Sequence, residues 1–402
     1  MRSRFTSSLC IAIYVSIFCC HIAWSQQIPG SAGQVITGAE RMSEYLPLTQ
    51  GKKLALVVNQ TSVVGKTHLV DTLLSLHQQV QKIFAPEHGF RGIADAGEEI
   101  SSSLDAKTGI PIISIYGKNN KPGADQLKDV DLVIYDIQDV GVRFYTYVST
   151  LHFVMEACAE NRVPLLILDR PDPNGFYVDG PILDSAHHSF VGVDPVPIVY
   201  GMTAAEYARM LQGEKWIDSI GHLELHWITC KNYDHNTLYQ LPVNPSPNLR
   251  SMTAIYLYPS LCLFEGTRVS VGRGTDKPFM IFGYPGYPAG NMKFRPESVS
   301  GAKNPPYLGV ECSGHDLSGL NSGFFLERKR LYLQWLMESY KYYPKKEEFF
   351  TSYFNTLAGN DQLRKQIEEG TPEMEIYRSW EPGLSKFKQI RKKYLLYEDF
   401  AN

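Results

Sequence analysis

The chain has 402 residues, of which 44% are hydrophobic and 20% charged, with a formal net charge of -3. That length is too great for one small core, and the composition is that of a globular chain rather than a disordered or fibrous one. The near-balance of charge argues against nucleic acid or an anionic membrane surface as a partner.

Residues 1–25 read as a secretion signal. Arg2 and Arg4 supply a positive start, residues 9–20 an apolar stretch too short to span a bilayer, and Ala23-Trp24-Ser25 small residues where cleavage needs them. The expectation is an exported, periplasmic protein whose mature chain starts at Gln26. A lipid anchor is less expected, because Phe18 rather than a small residue precedes Cys19. No later apolar run is long enough for a membrane helix, so stable membrane insertion after cleavage is not expected. Cys158, Cys230, Cys262 and Cys312 remain, at spacings that match no metal motif. An exported protein could pair two of them, and the spacing does not say which.

From 53 to 200 strands and helices alternate. LALVV at 54–58 is a continuous apolar run, as in a strand buried on both faces. A helix is predicted at 68–77, and strands at 80–85, 110–116 and 131–136, with a short helix over DQLKDV. A helix at 150–161 and a strand at 164–169 follow, then a possible sixth strand at 196–200. Thr203, with Glu206 three residues on, reads as a capping box opening a helix to Gln212. Such alternation implies an α/β fold, a mostly parallel sheet with helices on both faces. Past about 242 the texture changes. LPVNPSPNLR reads as a linker or lid, 253–264 as helical up to Pro259, 270–312 as Gly- and Pro-rich with weak strands, and 323–342 and 360–398 as amphipathic helices. The expected division is an α/β domain at 26–248 and a smaller α+β domain at 249–402.

Ligands of open parallel sheets bind outside the carboxyl ends of the strands. Polar residues collect at those exits here: Asn59, Gln60 and Thr61; then Glu87, His88 and Arg91; then Asp136, Gln138, Asp139, Arg143, Tyr145 and Tyr147; then Asp169, Arg170, Asp172 and Asn174. No GxGxxG follows the first strand, and P-loop, HExxH and GxSxG motifs are absent. No cofactor is expected, and no metal either, since the aspartates lie beside Arg143 and Arg170 and charge pairing explains them more simply. Glu87 stands out. Pro86 stiffens the strand exit, and Gly89 permits a tight turn and the close approach of a ligand. A carboxyl held there could act as a general acid; the alternative is a plain ion pair with Arg91.

Several longer motifs occur in one order: FAPEHGFRG (84–92), YDIQDVGVRFYTY (135–147), LDRPDPNG (168–175), VYGMT (199–203), SMTAIYLYPSLCLFEGT (251–267) and VGRGT (271–275). With the closing SW…YLLY segment they resemble the DUF1343 family, the exo-β-N-acetylmuramidases known as NamZ, over nearly the whole mature chain. The resemblance implies a Rossmann-like N-terminal domain, a smaller C-terminal domain and a cleft between them. It also implies release of terminal β-1,4-linked N-acetylmuramic acid from the non-reducing end of peptidoglycan fragments, so that muropeptides or their disaccharides are the expected partners. The family's catalytic glutamate, in the PEHG turn, corresponds to Glu87.

Glycoside hydrolysis generally uses two carboxyls. The second could be Asp136, Asp139, Glu265 or Asp276, or the substrate's own acetamido group could replace it. His88 is expected to orient Glu87. Arg143, Arg170 or Arg273 would suit the lactyl carboxylate of muramic acid, because a guanidinium binds a carboxylate through two parallel bonds. Tyr145 and Tyr147 could meet the pyranose, with Asn59, Arg91, Gln138, Asp139, Asp169, Glu265 and Thr267 as further substrate contacts. A silent peptidoglycan-binding protein and another amino-sugar hydrolase, such as a deacetylase, remain the competing functions.

Overall fold

The computed structural model describes residues 33–90 and 103–400. The expected secretion signal and Arg91 lie outside the described residues.

Strands that are apolar at every position must be covered on both faces, and the central strands here are. In chain order the strands are β1 (Lys53–Val58), a small hairpin of β2 (Val63–Val64) and β3 (Thr67–His68), β4 (Gln79–Ala85), β5 (Ser103–Leu104), β6 (Pro111–Ser114), β7 (Leu132–Asp136), β8 (Leu165–Leu168) and β9 (Leu225–Ile228), of which β1, β7 and β8 are the buried centre. Without the hairpin they form a seven-stranded sheet in the order β5-β6-β4-β1-β7-β8-β9. Every neighbouring pair is parallel except β5 with β6.

Side chains alternate between two apolar clusters, as a period of two requires. Leu54, Leu56, Val58, Ile134 and Leu166 pack with Leu69 and Leu73 of α2 (Leu69–Ser75) and with Tyr45 of α1 (Met42–Thr49). Ala55, Val57, Val133, Tyr135 and Ile167 face the other way. After the short helix α3 (Ala124–Leu127), that second layer is built from α4 (Tyr147–Asn161) and α5 (Ala204–Glu214). The capping box at Thr203 and Glu206 opens α5 as predicted. Chain progression runs outward from β1 in both directions, so the topological switch falls between β1 and β7. Loops at their carboxyl ends diverge there and leave a crevice.

One strand expectation needs correcting. Residues 196–200 are wholly buried but join no sheet; Val199 makes only isolated bridges to Val142 and Asp179. The loops after β7 and β8 use this segment as a common backbone partner, and the sixth parallel strand is β9.

The C-terminal region begins with α6 (Met252–Leu261), which runs through Pro259 rather than stopping at it. Proline removes the donor that would bond the carbonyl of Ile255. Asn174 Nδ2 donates to that carbonyl instead, at 3.3 Å. An antiparallel sheet follows, β10 (Ile281–Tyr284), β11 (Met292–Phe294) and β12 (Cys312–Asp316), with β12 in the middle. Six helices complete the α+β region: α7 (Ser322–Arg328), α8 (Gln334–Tyr342), α9 (Lys346–Phe349), α10 (Tyr353–Ala358), α11 (Gln362–Glu368) and α12 (Glu373–Lys392). No helix among the described residues is long and apolar enough to cross a membrane. Cys158, Cys230, Cys262 and Cys312 are all buried and unpaired.

The two regions are fused rather than tethered. The apolar cluster that covers one face of the large sheet continues into Leu257, Phe264, Phe354 and Trp380. The segment after α12 returns to the large sheet, where Tyr397 donates to Asp169 at 2.6 Å and the Leu396 amide to Glu206 at 2.8 Å. Arg143, 1% exposed, donates to the carbonyls of Pro181 and Val196 on one side and of Leu357 and Ala358, the last turn of α10, on the other. A cation at a helix C-terminus satisfies carbonyls that the helix leaves open. Arg143→Met is therefore expected to destabilise the fold by roughly 2–4 kcal/mol, since four buried carbonyls lose their donor. Urea unfolding measures this, and an unchanged midpoint would show that Arg143 does not hold the regions together.

Candidate active site

A cleft of about 680 Å³ opens at the carboxyl edge of the large sheet. One wall comes from strand exits and the start of α4, through Glu87, His88, Tyr116, Tyr145 and Thr146, and from the loop carrying Phe190. The other comes from the C-terminal region and the segment leading into it, through Asn248, Glu265, Arg273, Lys303 and Tyr353.

The turn after β4 closes with Gly89 N donating to Pro86 O at 2.9 Å. His88 has φ +65 and Gly89 φ +77. A left-handed histidine costs about 1–2 kcal/mol, tolerated where the surroundings impose it. The turn turns the Glu87 carboxyl into the cleft. Its Oε1 accepts from the Tyr116 hydroxyl at 3.1 Å, and its Oε2 from the Thr146 hydroxyl at 2.6 Å. Tyr116 follows β6, and Thr146 immediately precedes α4. Three separate connections of the sheet thus converge on one carboxyl group. Burial first, and then the Glu87 charge, push the Tyr116 phenol above its ordinary pKa, so it remains a donor.

Glu265 lies in the 3-10 turn Cys262–Gly266 that follows α6. Arg273 grips both of its oxygens, Nε to Oε1 at 2.5 Å and NH2 to Oε2 at 3.0 Å. Burial opposes the Arg273 charge, but Glu265 outweighs it and leaves the guanidinium pKa above normal. The Tyr353 phenol is pushed up by burial and then by Cys262, Glu265 and Glu87, so it sits in the field of both glutamates.

Five of the sequence-predicted residues line this cleft: Glu87, His88, Tyr145, Glu265 and Arg273. The others among the described residues do not, and structural reasons explain them. Both Asp136 oxygens accept from Arg170, at 2.5 and 2.9 Å, and the pair is buried. Asp136 as a catalytic partner and Arg170 as a substrate clamp are therefore corrected to a structural ion pair. Both terminal nitrogens of Arg143 are taken by carbonyls, and it is 1% exposed outside the cleft lining, which corrects its assignment to a substrate carboxylate. Asn59 Oδ1 is taken by Thr61, and Gln138 Nε2 donates to the carbonyls of Asp139 and Pro171. Asp139 accepts from Tyr200 and from the Gly141 amide, and Asp169 from Thr203, Ala205 and Tyr397. Thr267 donates to Phe264 O. The Tyr145 and Tyr147 hydroxyls both point to Pro245 O, at 2.7 and 3.3 Å, so only the Tyr145 ring meets the cleft. LPVNPSPNLR, read as a linker or lid, is instead a strap held down on the sheet edge by those tyrosines and by Gln60.

Sequence reading missed Tyr116, Thr146, Phe190, Asn248, Lys303 and Tyr353. Counting the exit of the third predicted strand would have found Tyr116, and Thr146 stands between the two tyrosines already chosen. Nothing local marks the others. Among the described residues no group of three or more His, Cys, Asp or Glu could hold a metal.

Two family models match the chain: exo-β-N-acetylmuramidase NamZ, N-terminal, over residues 54–253, and the same protein's C-terminal part over 256–397. The peptidoglycan β-N-acetylmuramidase NamZ of Bacillus subtilis strain 168 is 37% identical over 386 residues, covering 90% of this chain and 92% of that protein. A DUF1343 family protein of Bacteroides fragilis superposes with a TM-score of 0.85 at 47% identity, over 91% of this chain and 100% of its own. A second from the same organism gives 0.77 at 25% identity, over 90% and 99%.

The buried aspartates set a pH dependence of stability. Burial raises the Asp139 carboxyl from 3.8 to about 6, against the hydrogen bonds that it accepts from Tyr200, Gly141 and Val140. The folded state thus keeps a proton that the unfolded chain releases, and this contribution is lost as pH rises from about 4 through 6. Asp139→Asn should flatten the fall in melting temperature over that window. A variant whose pH–stability slope matches the parent would disprove it.

Proposed function

The chain belongs to the NamZ family of exo-β-N-acetylmuramidases, and from that membership we propose that it hydrolyses the bond to a terminal β-1,4-linked N-acetylmuramic acid at the non-reducing end of peptidoglycan fragments. The observation that carries the reading is the Glu87 carboxyl, fixed by Tyr116 and Thr146 within a cleft large enough for a sugar and part of its aglycone. Glu87 donates the proton that the leaving glycosidic oxygen needs, and its two hydroxyl donors hold it in one orientation for that transfer. His88 contributes through the backbone of the turn that aims Glu87.

Positive charge develops at the anomeric carbon as the bond breaks. Of the four acidic residues considered as partners, Glu265 is the one in the cleft lining. Its ion pair with Arg273 holds it still, and it serves as the carboxylate that stabilises that charge. The ring faces of Tyr145, Tyr258 and Phe190 supply apolar surface for the pyranose. The reading includes export: the amino-terminal 25 residues direct the enzyme to the periplasm, where peptidoglycan fragments occur.

Glu87→Gln should lower kcat on a chromogenic β-N-acetylmuramide by about 10²- to 10⁴-fold while changing KM little. Near-parental kcat in that variant would remove Glu87 from the acid role. Hydrolysis of the matching N-acetylglucosaminide but not the muramide would overturn the substrate assignment. Asp136→Asn gives the contrast, a lower melting temperature with kcat of the folded enzyme within a few-fold of the parent. A loss of kcat as large as that of Glu87→Gln would return Asp136 to the chemistry.

A further inference from the structure

N-acetylmuramic acid carries an acetamido group on the carbon next to the anomeric centre, and the carbonyl of that group can only accept a hydrogen bond. We propose that the Tyr353 hydroxyl donates to this carbonyl, which adds Tyr353 to the residues that touch the reacting sugar. The assignment rests on the muramidase reading above.

Tyr353 opens α10 and lines the cleft. The helix otherwise packs inward, through Phe354, Leu357 and Ala358, yet Tyr353 is 41% exposed. Among the described residues its hydroxyl meets no hydrogen-bond partner. The other phenols of the lining are engaged: Tyr116 donates to Glu87, Tyr145 to the carbonyl of Pro245, and Tyr258 faces the Cys262 thiol.

A glycine puts the phenol beside the chemistry. Gly266 follows Glu265, and a Cβ there would fall 2.4 Å from the Phe354 Cα. Without one, the start of α10 lies directly on the turn that carries Glu265. Thr351 fixes the contact, its amide and its hydroxyl both donating to Gly266 O, at 2.9 and 3.1 Å. Arg143 fixes the other end of the helix. Burial, and then Cys262, Glu265 and Glu87, push the phenol above its ordinary pKa, so it stays a donor. It also acts on the Tyr116 phenol that donates to Glu87. A group in the field of both glutamates lies alongside the sugar on which the two act.

Glu87 attends the glycosidic oxygen, which leaves the substituent at the neighbouring carbon for Tyr353. Glycosidases gain transition-state binding from hydrogen bonds at that position. The carboxylate of Glu265 can only accept, so it suits the amide N–H and not the carbonyl, whereas a phenol supplies the missing donor.

The test compares parent and Tyr353→Phe on 4-nitrophenyl β-N-acetylmuramide and on the analogue with a fluoroacetamido group, whose carbonyl is the weaker acceptor. The ring is kept and the hydroxyl has no partner among the described residues, so the variant should melt with the parent. It should lose about ten- to a hundredfold in kcat/KM on the acetamido substrate. Fluorination should slow the parent by a larger factor than the variant, in which the bond it weakens is already gone. Parental kcat/KM in Tyr353→Phe overturns the assignment. So does an equal response of parent and variant to fluorination, including one that accompanies a lowered melting temperature. Both results leave an active parent as a muramidase. A parent inactive on the muramide overturns the functional reading, and the tyrosine's role with it.

Discussion

A guanidinium without a carboxylate sets the spacing of the cleft. Arg143 leaves the loop after β7 and ends among carbonyls from 181, 196, 357 and 358. Two of these belong to the N-terminal region and two to the end of α10. Tyr353, at the start of the same helix, lines the cleft. The buried charge can be satisfied only when both walls are in place. An arginine does this better than a lysine would, because its planar fork presents several fixed donors at once. The continuous apolar cluster supplies attraction between the regions, and Arg143 supplies the geometry.

The same logic explains the crowd of polar residues at the strand exits. Loops that cross the carboxyl edge of a parallel sheet expose many backbone groups, and once buried each needs a partner. Asn59, Gln138, Asp139, Asp169 and Asp172 serve that need by bonding amides, carbonyls and hydroxyls of neighbouring loops. Asp169 shows the cost. Burial raises its carboxyl to about 7 despite the donors from Tyr397, Ala205 and Thr203. Glu87 differs in being half-buried, with the hydroxyls of Tyr116 and Thr146 among its partners and the cleft in front of it.

The cleft holds two glutamates in different company. Glu87 accepts from the hydroxyls of Tyr116 and Thr146, and Glu265 is gripped through both oxygens by Arg273. Divergent surroundings are what allow two like groups to take different parts in one reaction. The pair comes from opposite sides of the cleft wall, one from the sheet and one from the turn after α6, so its geometry depends on the docking that Arg143 enforces.

Much of this is written locally in the chain. Unbroken apolar runs such as LALVV suit strands covered on both faces, and the box at Thr203 and Glu206 marks a helix start, so the alternation behind the parallel sheet is set by neighbours a few residues apart. The PEHG turn is equally local, since Pro86 and Gly89 shape the backbone on either side of Glu87. What the tertiary structure decided is which polar side chains face a ligand and which face other loops. That choice depends on partners far away in sequence: Arg170 for Asp136, Leu357 and Ala358 for Arg143, Pro245 for Tyr145. Pro259 ends no helix because Asn174, 85 positions earlier, takes over the carbonyl that it frees. Lys303 enters the cleft lining from the second region. A side chain's type and its immediate neighbours set what chemistry it can do, but burial and long-range hydrogen bonding set what is left for it to do.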